Sequence, residues 1–122
     1  MHSLELNITT SRHIAFREGY MVLLPTIEGQ IGVLYGHIPM LTSLAFGMVK
    51  LLDKDNKIIA TFYIDGGAVQ ITNTTVNILC SYCADTSGLD KQSIENKINL
   101  LANIGGKQSK LEFYNKVLRH II

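Results

Sequence analysis

The sequence predicts a mainly β chain, an antiparallel sandwich or barrel of short strands followed by a two-helix hairpin. Three observations carry that expectation. Apolar runs rich in β-branched residues alternate with turn residues every ~8–12 positions as far as Ala84. Beyond Ala84 the apolar spacing lengthens to that of a helix. The 122 residues are 47% hydrophobic and only 17% charged, enough for one packed core and unlike a disordered chain or a disulfide-dense miniprotein.

Along the chain, Leu4, Leu6 and Ile8 alternate with Glu5, Asn7 and Thr9, the period of a half-buried strand. Further apolar runs lie at Met21–Leu24, Ile31–Leu34, Met40–Leu44, Met48–Leu52, Ile58–Ile64, Ala68–Ile71 and Val76–Cys80. The turn signals between them are Arg17-Glu18-Gly19, Glu28-Gly29, Gly36-His37, Phe46-Gly47, Asp53–Lys57, Asp65-Gly66-Gly67 and Asn73-Thr74. Asp53–Lys57 reads as a hydrophilic hairpin loop. After a linker at Asp85-Thr86-Ser87-Gly88, Asp90 is a helix N-cap, Ile94, Ile98 and Leu101 recur at helical spacing, and Asn103 with Gly105-Gly106 ends the run. In a second helix Leu111, Tyr114, Val117, Leu118 and Ile121 share one face, and Glu112, Lys116 and Arg119 the other. The expected division is therefore a sandwich over 1–86 and a hairpin over 87–122. The hairpin has too few apolar residues to be stable alone, so it rests on the sandwich, on a partner, or alternates between them.

Charge separates the two parts. Residues 1–89 hold five basic and seven acidic side chains, residues 90–122 six and three, and the whole chain is +1. No strong field toward nucleic acid or anionic lipid follows, so neither is an expected partner. Gly29–Val49 runs 21 residues without a formal charge. Its four glycines, Gln30, His37 and Pro39 make it short strands and turns rather than a membrane span, and direct membrane insertion is not expected. Only two cysteines and no basic-plus-apolar leader at Met1 suggest a reduced, cytoplasmic-side protein.

Candidate chemistry is sparse. Cys80-Ser81-Tyr82-Cys83 has metal-ligand spacing, but residues three apart on a strand point to opposite faces, so a structural role is expected. His2, His13, His37 and His120 form no ligand motif. There is no nucleophile elbow, and Gly29-Gln30-Ile31-Gly32 is not followed by the Gly-Lys-Ser/Thr of a phosphate loop. No catalytic residue, metal or cofactor is expected. What remains is the glycine-rich stretch Pro25–Leu41, two tight turns around one short strand that also form a shaped, apolar knob at Gly36-His37-Ile38-Pro39.

At this stretch the chain resembles the epsilon subunit of the bacterial F-type rotary ATP synthase. The family's Glu-Gly-Glu-x-Gly-x-x-x-Gly-His-x-Pro-x-Leu run falls on Glu28, Gly29, Gly32, Gly36, His37, Pro39 and Leu41. Its later Leu-x-x-Gly falls on Leu44 and Gly47, its Gly-Gly pair on Gly66-Gly67, and its Ala-Asp-Thr on Ala84-Asp85-Thr86. The resemblance implies a ten-stranded β-sandwich followed by a helical hairpin, in a non-catalytic rotor-stalk subunit. It implies that the sandwich binds the gamma subunit, that a loop end sits on the membrane rotor ring of c subunits, and that the hairpin can reach the catalytic alpha/beta head and restrain ATP hydrolysis. Glu28, Gln30, Gly36, His37, Ile38 and Met40 are then partner-interface residues, and Lys116 and Arg119 belong to a regulatory tail. The implied place is the cytoplasmic face of the bacterial inner membrane, held peripherally.

Three departures from the family pattern stand out. Gln30 replaces a glutamate that faces the ring, and Tyr35 stands where proline is common. Leu89-Asp90-Lys91-Gln92-Ser93-Ile94 keeps only the first two residues of the Leu-Asp-x-x-Arg-Ala nucleotide-sensing motif, so ATP binding by the hairpin is not carried over. The rival reading is a small β-sandwich ligand-binding or hydrolytic domain using His37 as acid or base beside Glu28, which requires both in one concave site.

Overall fold

In a computed structural model the described residues are 3–11, 14–86, 91–104 and 108–121. Ten strands come first: β1 Leu4–Thr9, β2 Ile14–Gly19, β3 Met21–Thr26, β4 Gly29–Leu34, β5 Met40–Leu44, β6 Gly47–Leu52, β7 Ile58–Ile64, β8 Gly67–Ile71, β9 Thr75–Leu79 and β10 Cys83–Asp85. Two helices follow, α1 Lys91–Ile104 and α2 Gln108–Ile121. The chain divides into two compact units, Met1–Asp85 and Thr86–Ile122.

The strands form one curled, hydrogen-bonded path, β10-β7-β6-β3-β5-β8-β9-β1-β2, with β4 added to β3. The curl is made by β3. Its first half pairs with β6 through Met21–Leu23, and its last residue, Thr26, pairs with Leu44 of β5. Pro25 lies at the changeover. Lacking an N–H, it cannot continue the ladder, and its carbonyl instead accepts from Ala45 N at 2.8 Å. The sheet thereby closes over a core to which nine of the ten strands give buried side chains, among them the fully buried Leu4, Leu6, Ile8, Val22, Leu24, Val33, Val49, Leu51, Phe62, Ile64, Val69, Ile71, Val76 and Ile78. The strict alternation of β1 is the clearest case, with Leu4, Leu6 and Ile8 inward and Glu5, Asn7 and Thr9 outward.

Four local readings change. Arg17-Glu18-Gly19 is not a turn but the end of β2, held opposite Leu4–Leu6; strand pairing overrides the weak local preference of these residues. One pair in the otherwise antiparallel architecture is parallel, β1 with β9. The two strands are joined through the whole intervening sandwich, so no short connection forces them antiparallel. Asp85 belongs to β10 rather than to the linker. Cys80 and Cys83 flank a turn between β9 and β10 rather than sharing a strand, and Asp65 Oδ1 accepts from Ser81 N at 3.2 Å and Tyr82 N at 2.9 Å to hold that turn. Both thiols are half-buried against the core. The uncharged run Gly29–Val49 is β4, β5 and the start of β6, and no helix among the described residues is long and apolar enough to cross a membrane.

The hairpin is described on its own. Ile94, Phe113, Tyr114 and Val117 are buried, while Ile98, Leu101, Leu111 and Leu118 are half-buried. Lys97 Nζ reaches across from α1 to Tyr114 of α2, donating to its hydroxyl at 3.3 Å and lying 5.2 Å from the ring centroid. Phe113, absent from the expected apolar face, stacks edge-on with Tyr114 at 5.3 Å. The expected N-cap Asp90 and the Gly105-Gly106 break lie outside the described residues, as does the side chain of Ile121.

Two predictions follow from this architecture. Gly67 has φ +127°, and a Cβ there would overlap the Leu79 carbonyl oxygen, whereas a Cβ on Gly36 at φ +85° meets nothing within 4 Å. Gly36→Ala should cost only the left-handed strain of about 1–2 kcal/mol, and Gly67→Ala should cost at least ~1 kcal/mol more, because backbone must move; urea unfolding of the two variants checks the order. Burial pushes the Cys80 thiol up to about 12, with Cys83 and Asp65 adding to the effect. It pushes Cys83 up to about 11, with Asp85 and Asp65 adding. Both thiols stay protonated in the folded chain while unfolded thiols ionise, so stability should fall as pH rises above about 9. Iodoacetamide at pH 8 should alkylate them at least ~100-fold faster in denaturant than in buffer, in proportion to thiolate.

Candidate functional site

Strand β4 organises the region singled out by the sequence. At one end the two-residue turn Ile27-Glu28 joins β3 to β4. The Thr26 hydroxyl donates to the Gly29 carbonyl and accepts from Glu28 N at 3.3 Å, while Ile27 N donates to Ser43 O at 3.2 Å. This pins an exposed Glu28 and the neighbouring exposed Gln30. At the other end the loop 35–39 leads into β5. Gly36 N donates to Asn73 O at 2.6 Å and His37 N to Leu34 O at 3.0 Å. His37 Nδ1 donates to the Ile38 carbonyl at 2.6 Å, so the ring is held by its own loop. Ile38 is thrust into solvent, 79% exposed, and Met40 is exposed beside it.

The six expected interface residues therefore form two groups, Glu28 with Gln30 and Gly36 through Met40, separated by the length of β4, on the order of 15–20 Å at strand rise. Glu28 and His37 sit at opposite ends of that strand and cannot act on one substrate atom. A cleft of about 770 Å³ opens beside Leu34 and Tyr35, lined also by Tyr20, Ile59, Glu18 and Lys54, and neither Glu28 nor His37 lines it. Among the described residues, no group of three or more His, Cys, Asp or Glu side chains is placed to hold a metal. The paired acid and base required by a hydrolytic reading are not assembled here.

The sheet register reveals a surface that the sequence did not single out. Ser43, Ala68, Leu79, Thr9 and Ile14 lie opposite one another across β5, β8, β9, β1 and β2. The next row is Leu41, Gln70, Asn77, Asn7 and Phe16. Neither row contains a charge. Leu41 is 77% exposed, Ile14 67%, Leu79 61% and Phe16 47%, and Asn7 Nδ2 donates to Asn77 Oδ1 at 2.9 Å between them. Ten adjacent positions without a charge and with four large apolar side chains in water are the makings of a protein-binding face. The signal existed: Leu41 and Leu79 sit at outward parity within runs otherwise read as core. In the second unit Lys116 and Arg119 are exposed with Glu112 on α2, as the helical period requires.

Comparison with known proteins bears on the family and the fold. The family model described as "ATP synthase, Delta/Epsilon chain, beta-sandwich domain" matches residues 3–84. The chain is 35% identical over 101 residues to an ATP synthase epsilon chain of Rickettsia bellii, covering 81% of this chain and 94% of that one. It is 29% identical over 115 residues to the chloroplastic ATP synthase epsilon chain of Pyropia yezoensis, covering 90% and 84%. In fold it is similar to a chain of the Euglena gracilis mitochondrial ATP synthase, with TM-score 0.65 at 20% identity over 81% of this chain and 63% of that one. It is also similar to one in the Tetrahymena thermophila mitochondrial ATP synthase, with TM-score 0.56 at 16% identity over 94% and 96%. With a family match across the whole sandwich and a relative aligned over most of both chains, the protein belongs to the ATP synthase delta/epsilon family, as an epsilon-chain-type stalk subunit that is not itself catalytic.

Proposed function

We propose that this subunit couples the gamma subunit to the membrane rotor ring of a proton-translocating ATP synthase and that its hairpin restrains ATP hydrolysis by the complex. The observation that carries the coupling role is the uncharged outer face of β5-β8-β9-β1-β2, with Leu41, Leu79, Ile14 and Phe16 exposed together. A rotating contact must resist shear without slipping. A broad apolar face on a closed, densely packed sandwich offers many small contacts on a stiff base.

In this reading gamma takes the outer sheet face, and the loop residues Glu28, Gln30, Gly36, His37, Ile38 and Met40 supply the remaining partner contacts, including those to the c subunits. Solved neighbours support it, since one belongs to an assembly of OSCP, F1 and c-ring and the other to a central stalk with its c-ring. The subunit would then sit peripherally on the cytoplasmic face of a bacterial inner membrane, held by its partners.

The regulatory half rests on the tail. Residues 90–122 carry six basic and three acidic side chains against five and seven in the body, and Lys116 and Arg119 are exposed on α2. They suit an acidic surface on the alpha/beta head. Such exposed pairs are individually weak and are screened over about 8–10 Å at physiological salt.

Reconstitution of membranes stripped of this subunit tests both halves. The full chain and a chain lacking residues 90–122 should each restore ATP synthesis, but only the full chain should hold hydrolysis down. Lys116→Glu with Arg119→Glu should release hydrolysis more at low salt than at high salt. Equal hydrolysis with and without the tail would remove the regulatory role; failure of either chain to restore synthesis would remove the coupling role.

A further inference from the structure

The outer face of β5-β8-β9-β1-β2 is uncharged in two rows but not apolar throughout. In the second row Gln70, Asn77 and Asn7 stand side by side on β8, β9 and β1, between Leu41 at one end and Phe16 at the other. Gln70 is exposed and the two asparagines are half-buried. Their neighbours along each strand, Val69 and Ile71, Val76 and Ile78, Leu6 and Ile8, are the ones that enter the core. Asparagine is a poor strand former, so two of them facing each other on central strands call for a reason outside the core.

A chain of hydrogen bonds holds both asparagines in one orientation. It begins in the β8–β9 turn, where the Thr72 hydroxyl accepts from Thr75 N at 3.0 Å and from Thr74 N at 3.3 Å. With both lone pairs taken, that hydroxyl gives its own proton to Thr75 Oγ1 at 2.7 Å. Thr75 Oγ1 also accepts from Asn77 Nδ2 at 3.3 Å. Asn77 therefore turns its oxygen toward β1, where it accepts from Asn7 Nδ2 at 2.9 Å. The chain ends at Asn7 Oδ1, which receives no donor among the described residues. Turning the Asn7 amide over would set its oxygen against that of Asn77. The free acceptor is thus fixed in place, and only water or a donor from outside can satisfy it.

We infer that Asn7 sets the register of gamma on this face: an arginine of gamma donates to Asn7 Oδ1 and lays its guanidinium against the Phe16 ring. The inference rests on the proposed reading that gamma takes this face. Phe16 lies directly opposite Asn7 and is 47% exposed, a ready surface for a planar cation. The row beyond holds Glu5 and Glu18, a cross-strand pair of like charge whose field favours a cationic donor over a neutral one. The exposed Leu41, Leu79, Ile14 and Phe16 supply contact area, which tolerates sliding. A gamma displaced by one residue would bury the Asn7 oxygen without a donor, and that penalty selects the docked position. Asn77 is a positioning residue, acting only through Asn7.

The test is binding of the full chain to purified gamma subunit, with melting temperatures alongside, for Asn7→Leu, Asn77→Leu, the double variant and Asn7→Asp. Asn7→Leu should bind about tenfold or more weakly although it makes the face more apolar. The double variant should bind no more weakly than Asn7→Leu, because both changes remove one shared contact. Asn7→Asp keeps an acceptor, so it should bind at least as tightly as the unmodified chain at low salt and lose affinity more steeply as salt rises. Equal or tighter binding by Asn7→Leu overturns the inference and leaves the coupling role standing. A loss shared by Asn7→Asp at low salt also overturns it, since the acceptor would then not be what gamma reads. Absence of gamma binding by the unmodified chain overturns the coupling role, and the inference with it.

Discussion

The change of partner along β3 is the constraint on which the rest of this molecule depends. A strand that paired with β6 along its full length would extend a flat sheet with one face exposed. Pro25 ends that ladder, Thr26 pairs with Leu44, and the backbone bonds from Ala45 to Pro25 and from Ile27 to Ser43 secure the corner. Gly47 completes the close approach, because a Cβ there would stand 2.8 Å from Pro25 Cβ. Once the sheet is turned, the inward residues of both layers meet in one core. The outward rows of the β5–β2 layer face water, and β4 is left projecting beyond the corner with a turn at each end. The candidate surfaces are consequences of one bend.

Much of this was legible in the sequence because it depends on local periodicity. The inward set of β1 is written in its alternation, the runs from Met21 to Leu79 all fall on strands, and Asp53–Lys57 is a hairpin loop closed by Asp53 N to Lys57 O at 2.9 Å. Long-range pairing decided what was not legible. Arg17 and Glu18 are turn-like residues that become strand because Leu4–Leu6 lie opposite them. The parallel β1–β9 pair joins residues some seventy positions apart, and nothing local encodes it. Glu28 and His37 are close in sequence, yet a six-residue strand between them places them at opposite ends of a layer. The apolar outer face was hidden for the converse reason: its residues are contiguous only across strands, and Leu41 and Leu79 look like core until the register gives their parity.

The arrangement suits a subunit that carries load rather than one that does chemistry. Its thiols are held protonated by burial, its central histidine is tied to its own loop, and most carboxylates of the sandwich lie on turns and edge strands. In their place it offers an uncharged sheet face and two rigid loop ends. The cationic tail adds a second kind of contact, weak and salt-dependent, on a separate unit. Binding that must persist through rotation and binding that must be relieved thus fall to different parts of the chain and to different forces.

The central claim is that the outer face of the β5-β8-β9-β1-β2 layer binds gamma. Its most direct test is affinity capture from the native membrane fraction by the unmodified chain and by a chain carrying Ile14→Glu and Leu79→Glu. These two residues flank Thr9 on neighbouring strands and are largely exposed, so the pair should change the melting temperature little while setting two charges on the face. The account predicts that the unmodified chain recovers gamma and ring subunits and that the variant, equally folded, loses gamma. Equal recovery of gamma by both chains would contradict it.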